Sequence, residues 1–139
     1  MLNNKLNIKI IIKTITAFLL YVTVAGLVLV QMWLPEGVSH QQAMAMAEVD
    51  IGLQTQSMFA GLIGCLLVGA MSSGWGTASG YKNTLVCGML LTLYGVLGVY
   101  LHPQHALWAQ YIKVLMPLPI VLLMASLLCA WRQGVAKNA

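Results

Sequence analysis

Charge is what this chain has least of. Seven Lys or Arg and three Asp or Glu occur in 139 residues, so 7% of the chain is charged and 60% is hydrophobic. Soluble domains carry charge on roughly a quarter of their residues. The shortage excludes an ordinary water-soluble fold, which would leave apolar surface in water at roughly 25 cal/mol per Å². Cysteine is also scarce. Cys65, Cys87 and Cys129 are odd in number, widely spaced and form no CxxC pair, which argues against both a disulfide framework and a zinc site.

The chemistry of an enzyme is missing too. No carboxylate pair and no histidine falls inside a long apolar run, and no serine has a plausible His–Asp partner. The glycines between Gly74 and Gly80 are not followed by the GKS/T ending of a phosphate loop. The histidines gather at one edge, whereas haem ligation needs them facing each other across a bundle. No basic patch interleaved with aromatics lies outside the apolar runs, so nucleic acid is not an expected partner despite the net charge of +4. A non-enzymatic protein without a cofactor is the expectation.

Long apolar runs are what the chain has in abundance. About 20 helical residues cross a hydrocarbon core of roughly 30 Å, and four segments meet that requirement: 14–34, 51–73, 84–101 and 111–131. The fold class expected is all-α, an integral membrane four-helix transmembrane bundle forming a single transmembrane domain over 1–139. Its centre is the hairpin from Ile51 to Leu101, broken at Gly74–Asn83, with the outer two spans leaning on it. Lys5, Lys9 and Lys13, four residues apart, share one helical face that leads into the first span. Pro35 should end that span. Ser39 is a candidate N-cap for a helix in the first loop. Pro117 and Pro119 should kink the fourth.

A cleaved signal peptide is the competing reading of the first span, with Ala43-Met44-Ala45 or Ala45-Met46-Ala47 as the cleavage motif. The apolar run is longer than a typical signal core, and Glu36 interrupts the gap to those alanines, so retention is expected. With the N-terminus and C-terminus both cytoplasmic, Lys5, Lys9, Lys13, Lys82, Arg132 and Lys137 lie inside and Lys113 outside, a clear positive-inside bias. A multi-pass protein of the bacterial cell inner membrane is the default localisation.

Three groups of residues stand out. Gly61, Cys65 and Gly69 recur every four residues, and Gly88, Thr92 and Gly95 share a face of the third span. Such small-residue seams let helices approach closely in lipid, and they are expected to join the second span to the third. Lys113 sits inside the fourth span, where charge is costly; it either snorkels outward or forms an ion pair with Glu48 or Asp50. His40, Met44 and Met46 in the first loop face the same side as His102 and His105 in the second, and imidazole with thioether suits copper, Cu(I) above all.

The four-span layout resembles that of several small inner-membrane families, DoxX-like proteins among them; the likeness is one of layout and carries no residue across. The leading functional expectation is a protein acting through helix packing, as an accessory subunit or an immunity-type protein. Its partners would be the lipid bilayer and either further copies of itself, as a homo-oligomer, or a larger membrane protein. The alternative is binding or transport, from the outer face, of a copper-like metal ion or a small solute.

Overall fold

The computed structural model describes residues 6–33, 37–74 and 80–137. These form six helices: α1 (Ile8–Trp33), α2 (His40–Val49), α3 (Ile51–Gly74), α4 (Gly80–Leu101), α5 (Leu107–Leu115) and α6 (Pro117–Lys137). Four of them, over Ile8–Trp33, Ile51–Ser73, Tyr81–Leu101 and Pro117–Val135, are long and apolar enough to cross a membrane. Helix α1 is rich in β-branched residues, which are weak helix formers in water. In hydrocarbon a helix satisfies every backbone hydrogen bond within its own segment, and that requirement overrides the weak propensity. Lys9 and Lys13 lie on α1 itself, exposed, so the basic lead-in is part of the first long helix. Lys5, Pro35, Glu36 and residues 75–79 of the expected Gly74–Asn83 turn lie outside the described residues, while Gly80–Asn83 already belong to α4.

Ser39 starts α2 with a complete capping box. Its hydroxyl accepts from the Gln42 backbone N–H at 3.4 Å, and the Gln42 side-chain oxygen accepts from the Ser39 N–H at 3.2 Å. Asp50 is extended and ends α2. Its carboxylate then caps the next helix, accepting from the Leu53 N–H at 2.8 Å. One residue therefore makes the joint between α2 and α3. The α5–α6 segment is broken at Met116. Pro117 has no N–H to return to the Lys113 carbonyl four residues earlier, nor has Pro119 one for Leu115. The fourth long helix accordingly starts at Pro117, and residues 111–115 belong to a separate short helix.

Helices α3 and α4 form the middle of the bundle. Helix α1 packs along one side, mainly on α3; α6 packs along the other, on both α3 and α4; α1 and α6 make no extended contact with each other. Ile11, Phe18, Cys65, Val68, Cys87, Leu91 and Val121 make the apolar core. Large hydrophobic side chains such as Leu20, Leu27, Phe59, Leu93 and Leu127 face outward, as lipid-facing positions do in a bilayer.

The glycines are distributed differently from the expected α3–α4 seam. A Cβ on Gly64 would come within 2.8 Å of the Phe18 ring of α1, and one on Gly69 within 2.6 Å of the Val121 carbonyl of α6. On α4, Gly88 abuts Leu118, and Gly95 lies against the Lys113 backbone carbonyl. Gly61 meets nothing, while Cys65 is buried in the core and the hydroxyl of Thr92 is enclosed without a hydrogen-bond partner. Periodicity identifies a face of a helix, but a central helix has several neighbours to offer that face.

Polar side chains tie the bundle together at the end that carries Asn7 and Arg132. Thr14, Ser72, Ser73, Asn83 and Thr84 are buried there. The Ser72 and Thr84 hydroxyls lie 3.0 Å apart, the Asn7 N–H donates to the Asn83 side-chain oxygen at 2.9 Å, and Arg132 donates to the Ser73 carbonyl at 3.4 Å. These bonds connect α1, α3, α4 and α6.

Candidate functional site

The opposite end of the bundle holds a denser set of ionisable groups. Gln54, buried near the start of α3, donates through Nε2 to the Glu48 carbonyl at 2.7 Å. Its Oε1 accepts from the Ala106 N–H at 3.3 Å. One amide thus fastens the end of α2 to the loop between α4 and α5. Gln110 closes that loop from the other side, donating to the Pro103 and His105 carbonyls at 3.0 and 2.9 Å.

Within this frame four side chains form a row. His102 Nδ1 lies 3.4 Å from the Glu48 carboxylate. The His102 and His105 rings are stacked, with centroids 5.2 Å apart and planes 11° from parallel. His105 Nδ1 lies 2.5 Å from Lys113 Nζ. A carboxylate only accepts hydrogen bonds, so His102 must carry a proton on Nδ1. An ammonium only donates, so His105 Nδ1 must be a bare acceptor, and the neutral ring keeps its proton on Nε2. Burial, then the nearby Lys113 charge, then His102, hold the His105 pKa below the ordinary histidine value; Glu48 opposes them. The arrangement therefore disfavours a second positive charge on His105 beside Lys113.

No protein-family model matches this chain, and no curated protein or solved structure matches it. The site has to be read from its own geometry.

Beneath the row, between α1, α3, α4 and α5, lies a cavity of about 400 Å³. Phe18, Met58, Leu62, Leu91 and Leu97 line its apolar part; Ser57, His102 and Lys113 lie along its polar part. Gly61 and Gly98 also line it, and a Cβ on either would enter open space. A second cavity, of about 170 Å³, shares Ser57, His102 and Lys113 with the first and adds Glu48, Gln54 and His105. The two spaces share a wall of three polar side chains, with an apolar chamber on one side and the ionisable row on the other.

The residues singled out in the sequence meet only in part. Lys113 lies at His105, while Glu48 is partnered by His102 and Asp50 caps α3. His102 and His105 come together, with both Nδ1 atoms engaged by other side chains; Met46 is exposed, and the side chains of His40 and Met44 lie outside the described residues. Among the described residues no group of three or more His, Cys, Asp or Glu is placed to hold a metal ion. The cavity itself was not legible from the sequence, because spacing does not distinguish glycines that face open space, Gly61 and Gly98, from those that pack against a neighbour.

Proposed function

We propose that this is a small, non-enzymatic multi-pass membrane protein that binds a small lipophilic solute between its helices. The observation that supports it is the chamber of about 400 Å³, with mostly apolar walls and Ser57, His102 and Lys113 where it meets the smaller space. Small-molecule sites typically span roughly 300–1,000 Å³ and combine mostly apolar walls with a few polar groups. The positive-inside pattern supports an orientation with both termini in the cytoplasm and the His–Lys row toward the outer face, and a bacterial inner membrane is the location proposed. A solute would then enter from the outer leaflet or the outer compartment.

An accessory-subunit or immunity-type role drew its support from the small-residue seams and the scarcity of polar groups at mid-span. Gly64, Gly69, Gly88 and Gly95 are occupied within the bundle, which leaves the cavity as the better-supported basis for function. Native mass spectrometry of protein released directly from its membrane tests the proposal. The unaltered chain should retain lipophilic molecules, and Gly61→Leu, whose side chain points into the chamber, should lose them. Equal retention by both would contradict it.

A further inference from the structure

Resting on the cavity reading above, we infer that the ligand is a single-chain amphiphile whose carboxylate pairs with Lys113. Among the described residues that line the large chamber, Lys113 is the one Lys or Arg, and none is Asp or Glu. The acid nearest the row, Glu48, lines only the smaller space and is engaged by His102. Lys113 itself bonds a neutral imidazole, not a carboxylate. A cation at the edge of an apolar chamber, held by a neutral acceptor, favours an anion over any uncharged head and repels a cationic one.

The rest of the chamber selects the tail. Its walls are aliphatic and aromatic, Tyr94 among them, and its ionisable side chains His102 and Lys113 lie with Ser57 where it adjoins the smaller space. A ligand that matches this division has one charged end and one long apolar end. The volume lies toward the lower limit of small-molecule sites, which favours a ligand with one apolar chain inside it. On binding, the Lys113 ammonium exchanges His105 Nδ1 for a carboxylate oxygen, with Ser57 beside it as a second donor. No bond is made or broken; the step is an exchange of hydrogen-bond partners.

Photolabelling of the full-length protein in lipid nanodiscs tests this, using dodecanoic acid with a diazirine in its tail and the matching dodecanol. Mapped by mass spectrometry, the acid should label cavity residues such as Met58, Leu62 and Leu91. The alcohol should label them about tenfold less, the effect of one missing charge-assisted hydrogen bond. Lys113→Met should bring the acid down to the level of the alcohol, Lys113→Arg should preserve the preference, and Gly61→Leu should remove cavity labelling by both. If acid and alcohol label the cavity equally and Lys113→Met changes nothing, the carboxylate inference is overturned while the cavity reading stands. If both probes mark only outward-facing residues and Gly61→Leu has no effect, the cavity reading itself fails. Should Lys113→Met not fold, the acid-to-alcohol ratio on the unaltered protein decides the matter.

Discussion

At Gly95 the backbone of α4 comes so close to the Lys113 carbonyl that a Cβ would overlap it, whereas three residues later Gly98 faces open space. The two positions should respond oppositely to the same methyl group. Gly95→Ala is expected to lose about 1–3 kcal/mol, the usual cost of forcing volume into a packed contact. Gly98→Ala should be neutral or gain up to about 1 kcal/mol from helix propensity. Thermal unfolding in detergent measures both; similar losses would show that the α4–α5 contact is misassigned. His105 carries a prediction of its own. Because its folded pKa lies below the ordinary value, the unfolded chain takes up a proton at higher pH than the folded one. The stability contributed by neutral His105 is therefore complete above about pH 6.5 and is lost as pH falls toward the lowered value. His105→Gln should flatten this acid-side decline in melting temperature, and an unchanged slope would remove His105 from the explanation.

Among the elements, the α5–α6 break matters most for the site, because it sets the backbone from which Lys113 reaches His105. Pro117→Ala restores a backbone donor for the Lys113 carbonyl. It should straighten the junction, weaken the contact with Gly95 and draw the ammonium away from the imidazole. The expected result is a His105 that titrates closer to the ordinary value by NMR, and a shift away from it would contradict this account of the kink. Much at this scale was legible in advance. The long apolar runs located α1, α3, α4 and most of α6, Ser39 marked the start of α2, and the prolines marked the break. The partners of the glycines were not legible, because repetition every four residues identifies a stripe without saying which neighbouring helix covers it. The Lys113–His105 contact was also hidden. It depends on the loop from His102 to Ala106 folding back under the hold of Gln54 and Gln110, and nothing in residue spacing encodes that.

Across the whole molecule, two polar layers close the ends of an otherwise apolar bundle, and they differ in chemistry. The end near Asn83 uses small hydroxyls and amides to connect helices; the end near Gln54 places ionisable groups beside a chamber. Hydroxyl contacts between membrane helices contribute about 0.6 kcal/mol on average, so Ser72→Ala should cost little stability and leave ligand retention unchanged. Changes at Lys113 should alter retention. A loss of retention in Ser72→Ala comparable to that in Gly61→Leu would mean that the two layers do not divide the work in this way. The functional proposal depends on four crossings that put these layers on opposite faces of one membrane. Single cysteines at Gln41 on α2 and Lys82 on α4, in a chain whose native cysteines are replaced, test that most directly with a membrane-impermeant maleimide on intact cells. The account predicts that Gln41→Cys is labelled at once and Lys82→Cys only after the membrane is opened; equal labelling of both on intact cells would contradict it.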